Sequence, residues 1–473
     1  MPPSQRYHAE TLHATLGEGF FDEVAPAAFP QQILRYRNQR AAARVGLDTL
    51  TDAEWIAHFG RFESLPGGFE KPLALRYHGH QFRSYNPDLG DGRGFLFAQL
   101  RDAEDGRLLD LGTKGSGRTP WSRQGDGRLT LKGGVREILA TEMLEALGVD
   151  TSKTFSLIET GEQLMRGDEP SPTRSSVLLR LSHSHIRIGT FQRLAFLEDN
   201  AAIEKLLGYS IDNYFPELAE EPPERRAAAF LEAVIARVAR LGASYMAAGF
   251  VHGVLNSDNI NITGESFDYG PWRFAPSWDA GFTAAYFDHS GLYSFGRQPG
   301  ALAWNLTRLA ECLLPLTGLA AAEKALDAYP ELAKAAFRKA LLARLGLLSE
   351  GDERDAHLAK AFVDFAISSR APFEQTLFDW RGGVASEARA NRSPSAAFYE
   401  AEQFAPLREA LAGYRPSATA RLDHPYFAAP EPCAMLIDEV EAIWSAIAER
   451  DDWGPFQAKL ARIAQMRAAY AGE

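Results

Sequence analysis

The sequence predicts an α+β fold, with a strand-rich N-terminal part followed by a mostly helical C-terminal part. In the N-terminal part, short apolar runs at residues 94–100 and 108–113 alternate with glycine-rich turns, a pattern typical of strands and hairpins. After Phe191, apolar residues recur at helical spacing instead. The change of period divides the chain into two differently built halves.

Two helices and one irregular segment define the middle of the chain. The stretch VREILATEMLEALG at residues 135–148 has an apolar side and ends at Gly148, so it predicts one helix among the strands. A longer helix is predicted at residues 222–249, which open with two prolines. Residues 250–278 carry no regular period and predict an irregular segment before further helices.

Composition excludes several functional classes. Of the 473 residues 45% are apolar, enough for a large core, and the net charge of −12 argues against broad nucleic-acid binding. The only cysteines, Cys312 and Cys433, exclude a disulfide framework and a cysteine-based zinc site. Because the chain has neither an 18-residue apolar run nor a signal-like N-terminus, we expect a cytoplasmic protein without membrane partners.

The segment HGVLNSDNINITGESFDYG, at residues 252–270, contains the most informative side chains. Asn259 precedes Asp268 of an Asp-Tyr-Gly by nine residues, and kinases hold their metal with an Asn and the Asp of a following Asp-Phe-Gly. Oxygen ligands of this kind suit Mg²⁺ or Mn²⁺. The usual catalytic Asp position holds Val254, so ordinary phosphoryl transfer is disfavoured and Asp258 is the nearest replacement carboxylate.

Residues upstream of this segment also follow the order of motifs found in kinases. Gly90, Gly92 and Arg93 belong to LGDGRG. Glycines permit positive φ and close approach of the backbone to phosphates, although an ordinary hairpin turn gives the same sequence pattern. Lys114 ends an apolar run and Glu137 follows on the predicted helix, as in the lysine–glutamate pair of kinases.

Arg180 and Arg187 lie seven residues apart, which would place them on opposite faces of one straight strand. Two arginines converging on a triphosphate suit the fork geometry of the guanidinium group. A metal site at the neighbouring His183 and His185 is disfavoured, because no third ligand lies nearby in the sequence.

The order glycine loop, lysine, helical glutamate, Asp-Asn and Asp-Tyr-Gly predicts a protein-kinase-like two-lobed fold. Its β-rich N-lobe would contain one key helix, and its C-lobe would be mostly helical. We divide the chain into an N-terminal extension packed on the core (1–70), a nucleotide-binding N-lobe (71–195), and a helical C-lobe with the metal and catalytic loop and a C-terminal helical extension (196–473). From the residues alone, a small-molecule or protein kinase and a nucleotide-binding pseudokinase scaffold remain alternatives.

Six motifs together carry a resemblance to a known family. They are GHQF (79–82), LGDGRG (89–94), LGTKGSGRTPWSRQGDGR (111–128), VREILATEML (135–144), HGVLNSDN (252–259) and FDYGPW (267–272). On these motifs the chain resembles the selenoprotein O family, known in bacteria as YdiU, whose members are kinase-fold protein nucleotidyltransferases. Four stretches depart from the family pattern: residues 83–88, residues 296–299, residues 424–436, and the end of the chain, which has no near-terminal cysteine.

The resemblance implies transfer of AMP from ATP to Ser, Thr or Tyr hydroxyls of proteins, and also UMP from UTP. It implies that ATP lies flipped relative to kinases, with its α-phosphate towards the acceptor. Asp258 would accept the proton, Asn259 and Asp268 would hold Mg²⁺ or Mn²⁺, and Glu137 would pair with Lys114. The nucleotide contacts implied by the family are Gly90, Gly92, Arg93, Lys114, Asp126, Gly127, Arg180 and Arg187.

Overall fold

A computed structural model describes residues 4–167 and 169–470. Its strands lie mostly before residue 183, as the apolar runs predict. They are β1 (Ala9–Glu10), β2 (Phe21–Glu23), β3 (Ile33–Arg37), β4 (Leu73–Leu75), β5 (Gly79–Gln81), β6 (Ser84–Asn86), β7 (Leu96–Arg101), β8 (Leu108–Lys114), β9 (Leu129–Thr130), β10 (Lys153–Leu164), β11 (Thr173–Ser182), β12 (Phe250–Val251) and β13 (Arg273–Phe274).

Helices dominate the rest of the chain. They are α1 (Gln39–Arg44), α2 (Asp52–Gly60), α3 (Leu131–Ala146), α4 (Ile188–Phe196), α5 (Asn200–Tyr214), α6 (Pro223–Ala247), α7 (Gln298–Thr317), α8 (Leu319–Asp327), α9 (Tyr329–Leu345), α10 (Asp352–Ser369), α11 (Phe373–Asp379), α12 (Glu387–Ala390), α13 (Ala396–Glu400), α14 (Ala405–Ala412), α15 (Ile437–Arg450) and α16 (Gly454–Tyr470). Within the described ranges, none of them combines the length and apolar character needed to span a bilayer.

One antiparallel sheet of nine strands organises the N-terminal half. Seven strands follow the order β2-β4-β7-β8-β11-β10-β3, while β1 pairs with β7 and β9 pairs with β11. The first 70 residues therefore supply three strands, and two of them, β2 and β3, lie at opposite ends of this order. The sequence pattern missed these strands, because each has only two to five residues.

Helices cover both faces of the sheet. On β11, Val177 and Leu179 belong to a core shared with α1 and α2, in which Trp55 stacks on Phe155 with ring centroids 4.9 Å apart. Leu178, between them, points to the other face and joins the larger core that contains α3 and α4–α7. This alternation is the expected period of a strand buried on both faces, so the sheet is a rigid base for side chains at its end.

The two predicted helices occur where the sequence places them, whereas the segment predicted as irregular contains one short strand pair. α3 begins after Thr130, whose side chain accepts a hydrogen bond from the Gly133 amide (3.1 Å), and the chain leaves it through Gly148 at φ +82°. The longer helix, α6, begins at Pro223. After it, β12 pairs with β13 through Phe250 and Phe274, and the loop between these strands carries residues 252–272.

Candidate active site

A cavity of about 600 Å³ lies between the sheet and the loop that joins β12 to β13. Ten of the twelve residues predicted for the site line it: Gly90, Gly92, Arg93, Lys114, Asp126, Gly127, Arg180, Arg187, Asp258 and Asp268. Of the other two, Glu137 is bonded to the lining residue Lys114, and Asn259 follows the lining residue Asp258 in the chain. The volume is in the range of small-molecule sites.

Lys114 connects the sheet to both of its carboxylate neighbours. It is the last residue of β8 and is buried, and its Nζ donates hydrogen bonds to Glu137 Oε1 and, at 2.7 Å, to Asp268 Oδ1. Glu137 is itself buried on α3 with 2% exposure. A buried lysine held by two carboxylates has a fixed position, which suits the binding of a phosphate.

Asp268 is held as an anion by the cations around it. Burial by itself would raise the pKa of its carboxyl, but Lys114, Arg180 and Arg187 outweigh burial and hold this pKa well below its usual value. Its backbone lies in the left-handed region at φ +63°, a conformation that non-glycine residues adopt rarely and that often occurs at functional sites. The carboxylate therefore remains available as an oxygen ligand throughout the neutral pH range.

Arg180 and Arg187 reach the same cavity because the strand between them ends. β11 stops at Ser182, so the chain bends before Arg187 and the predicted opposition of the two side chains does not apply. Arg180 on β11 pairs with Gly112 on the neighbouring strand β8, two residues before Lys114. Its Nη1 lies 3.3 Å from Asp268 Oδ1. Within residues 4–167 and 169–470 neither its Nε nor its Nη1 makes a hydrogen bond; Nη1 faces Asp268, and Nε is free for a ligand.

Arg187 anchors the loop that carries Asp258. Its Nη1 donates to the Asp258 backbone carbonyl (3.1 Å) and its Nη2 to Asp91 Oδ1 (3.2 Å). The guanidinium also lies over the Tyr77 ring, 4.2 Å from its centroid. This cation thus fixes the loop between β12 and β13 against the glycine loop, in addition to contributing positive charge to the cavity.

Asp258 has the properties of a general base. It is 7% exposed, and its Oδ1 has no hydrogen-bond partner in the part of the chain that the structure describes. Burial raises the pKa of this carboxyl to about 6, although the positive charge of Arg187 opposes the shift. A carboxylate that titrates near neutrality and has a free oxygen can accept a proton from a hydroxyl.

Asn259 and Asp268, the two residues predicted to bind a metal, each carry a side-chain oxygen. Asn259 Nδ2 donates to the Val254 carbonyl (2.9 Å), so Oδ1 is the atom that this side chain could offer to a cation. Among the described residues no group of three or more His, Cys, Asp or Glu is placed to hold a metal. Two protein oxygens nevertheless suit Mg²⁺, which keeps water and phosphate oxygens in its remaining positions.

The glycine loop differs from its prediction in one respect. None of Gly90, Gly92 and Gly94 has positive φ. Close packing is what requires glycine here: a Cβ on Gly90 would lie 2.4 Å from the Trp121 ring, on Gly92 2.8 Å from the Trp121 carbonyl oxygen, and on Gly94 2.0 Å from the Thr113 carbonyl oxygen. The loop is therefore pressed against residues 113–122, and its shape depends on them.

Several lining residues escaped the sequence reasoning. Asp91 was visible inside LGDGRG, but its bond to Arg187 was not. Arg166 pairs with Asp126 across 40 residues (2.8 Å), and no sequence signal connects the two. The lining contains seven basic and four acidic side chains, a local excess of three positive charges in a protein whose net charge is −12. Such an excess favours a polyphosphate.

Comparison with known proteins places the chain among the protein nucleotidyltransferases. The family model described as "Protein adenylyltransferase SelO" matches residues 4–464, and the chain belongs to this family. A relative from Gloeobacter violaceus, named "Protein nucleotidyltransferase YdiU", is 45% identical over 465 residues, covering 96% of this chain and 94% of its own length. Relatives with the same name from Synechocystis sp. (44% identity, 93% and 94% covered) and Trichodesmium erythraeum (42%, 95% and 96%) are similarly close.

Proposed function

We propose that this chain transfers AMP from ATP to Ser, Thr or Tyr hydroxyls of proteins and releases pyrophosphate, within a protein-kinase-like two-lobed fold. The observation that carries the proposal is the arrangement of Asp258, with its free Oδ1 and raised pKa, beside a cavity with an excess of three positive charges. The family and the names of its relatives support the same activity.

The reaction begins when the acceptor hydroxyl oxygen attacks the α-phosphorus of ATP and its proton passes to Asp258. A new bond joins that oxygen to the α-phosphorus, and the bond from the α-phosphorus to the oxygen bridging it to the β-phosphorus breaks. Negative charge then develops on the departing pyrophosphate. Lys114, Arg180 and Arg187 are suited to stabilise this charge, since they are buried and already oriented.

The remaining nucleotide contacts follow from the lining of the cavity. Gly90, Gly92 and Arg93 would cover one side of ATP, while Asp126 and Gly127 belong to the facing loop. The β- and γ-phosphates would point towards the basic wall and the α-phosphate towards Asp258. This orientation separates the leaving group from the base, as transfer of a nucleotide requires.

Asn259 and Asp268 would hold Mg²⁺ or Mn²⁺ together with the phosphates. The ion would supply positive charge that neutralises the phosphate oxygens and restricts their orientation. Glu137 would act through Lys114, because its hydrogen bond to that lysine keeps the lysine beside Asp268.

Labelled ATP tests the proposal directly. The protein is incubated with casein, Mg²⁺ or Mn²⁺, and ATP labelled at either the α- or the γ-phosphate. We expect label on protein from α-labelled ATP alone, its loss in Asp258→Asn, and its retention in Asp212→Asn, an exposed aspartate on α5. Transfer of γ-label would establish a kinase instead, and nucleotide binding without any transfer would establish a scaffold. Parallel reactions with α-labelled UTP compare uridylyl transfer.

A further inference from the structure

The hairpin of β5 and β6 has a turn that its residues do not favour. Gln81 pairs with Ser84, so Phe82 and Arg83 form a two-residue turn, and both have positive φ (49° and 65°). Asn and Gly are the usual residues of such turns, because a bulky side chain is strained there. A conformation of this kind persists only where surrounding contacts impose it, and it is concentrated at functional sites.

Contacts with the catalytic loop impose the conformation. The Phe82 amide donates to Asn256 Oδ1 (3.1 Å), and a Cβ on Gly79 would come within 3.1 Å of Asp258 Oδ1. The Phe82 ring lies against Phe287 and Tyr293, with centroids 5.8 and 5.0 Å away. The turn therefore directs an aromatic ring to the edge of the loop that carries the proposed base.

The segment opposite the hairpin presents two more aromatic rings to solvent. Residues 284 and 285 are buried, and a Cβ on Gly253 of the catalytic loop would touch both of them. Three residues further on, the buried carboxylate of Asp288 accepts hydrogen bonds from the amides of residues 292 and 293, both at 2.8 Å. Between these anchors Tyr286 is 76% and Phe287 43% exposed, with their rings 5.1 Å apart.

We propose that Phe82, Tyr286 and Phe287, here called the aromatic lip, bind a large apolar side chain of the acceptor protein. The inference rests on the proposed function, since it assumes that the acceptor hydroxyl meets Asp258. Exposed aromatic rings held by a well-anchored loop are typical of recognition surfaces, because they offer large apolar area with little entropy loss on binding.

The distance to the base restricts which acceptor residue can reach the lip. Phe82 lies three residues after Gly79, so the two are at most about 10 Å apart along the chain, and Phe287 lies one ring contact beyond Phe82. An extended acceptor spans at most about 3.5 Å per residue. The apolar residue should therefore lie about three to five positions from the modified hydroxyl.

A peptide scan with matched variants tests this spacing. Peptides of glycine, alanine and lysine each carry one threonine and one leucine, placed one to seven residues apart on either side. Transfer from α-labelled ATP is measured for the wild type, for Tyr286→Ala/Phe287→Ala, and for Leu319→Ala/Ile367→Ala. The last variant truncates side chains of similar exposure (63% and 52%) on α8 and α10, which contribute no residue to the cavity.

We expect the wild type and the control variant to prefer leucine at three to five positions from threonine. Tyr286→Ala/Phe287→Ala should lose this preference and at least tenfold in kcat/KM for casein and for the preferred peptide, with the KM for ATP unchanged. A preference that survives in this variant, or an equal loss in the control, overturns the role of the lip and leaves the proposed function standing. Absence of wild-type transfer to both casein and peptides overturns the two together.

Discussion

Lys114 Nζ and Asp268 Oδ1 lie 2.7 Å apart, so the proposed phosphate-binding lysine and the proposed metal ligand are bonded to each other. Glu137 holds the same Nζ from the other side. Glu137 therefore fixes the position of Lys114, and Lys114 fixes that of Asp268. Substitutions of these residues should therefore act as a unit rather than independently.

Removing Glu137 should weaken catalysis only through Lys114. We expect Glu137→Gln to lower kcat/KM for ATP by roughly tenfold and Lys114→Met by roughly 10²–10³-fold, as is usual for one oriented charge in a dry site. The double variant should be no worse than Lys114→Met alone. Steady-state kinetics with α-labelled ATP measure the four rates. Multiplicative losses in the double variant would show that Glu137 acts independently of the lysine.

The pH dependence of the reaction should report Asp258. Its pKa is raised to about 6, and only the ionised carboxylate accepts a proton, so kcat/KM for casein should fall about tenfold per pH unit below about 6. A profile measured from pH 5 to 8 tests this. A flat profile down to pH 5 would contradict the assignment of Asp258 as the base.

The same carboxyl should make the fold less stable as the pH rises. Between an unfolded pKa near 4 and the folded value of about 6, the folded chain keeps a proton that the unfolded chain has lost, so stability decreases with rising pH. Asp258→Asn removes this effect. Relative to the wild type, we expect the variant to gain about 2–3 kcal/mol of unfolding free energy between pH 4 and pH 7. Urea titrations at both pH values measure it, with the exposed Asp212→Asn as the control for the substitution itself.

Metal binding should be visible without turnover. With a non-hydrolysable ATP analogue present, Mn²⁺ should raise the melting temperature of the wild type by mass action. Asp268→Asn removes one ligand charge, so we expect a much smaller Mn²⁺-dependent rise. A full rise in Asp268→Asn would place the ion elsewhere. EDTA should abolish transfer by the wild type, and added Mn²⁺ should restore it.

The glycine loop should respond to a single methyl group. A Cβ on Gly92 would lie 2.8 Å from the Trp121 carbonyl oxygen, so Gly92→Ala must move the loop or the segment below it. We expect the KM for ATP to rise at least fivefold. Gly300→Ala is the matched control, because that glycine has negative φ, lies in α7 and has no described residue within 4 Å of its added Cβ. The control should leave the KM unchanged and add about 1 kcal/mol of stability through helix propensity.

One stability prediction concerns the end of α4. Glu198 is exposed at φ +55°, and the amides of residues 198 and 199 bond back to the carbonyls of Ala195 and Leu194. Glycine favours this position at a helix C-terminus. Glu198→Gly should therefore raise the unfolding free energy by about 0.5–1 kcal/mol, whereas Glu198→Ala should not. Urea unfolding of the two variants decides the point.

Local patterns predicted the class of fold and the residues around the cavity. The strands at 94–100 and 108–113 and both helices occur within a few residues of their predicted bounds, since burial and period act locally. Long-range pairing was not predictable. Arg166 with Asp126, and Phe82 with Phe287, meet only because the fold brings distant segments together. The glycines were predicted to provide positive φ, but they are required by close packing against Trp121. This contact was not predictable either, because Trp121 lies about 30 residues further along the chain.

The sheet order has a consequence for biosynthesis. β2 and β3 lie at opposite ends of the seven-strand order, yet both leave the ribosome before any of the other five strands. β3 can pair only after β10 is made, more than a hundred residues later. Until then these segments have no partners, and unpaired strand edges promote association between chains. Nascent chains should therefore depend on chaperones, and deletion of the first 40 residues should yield aggregates rather than a smaller enzyme.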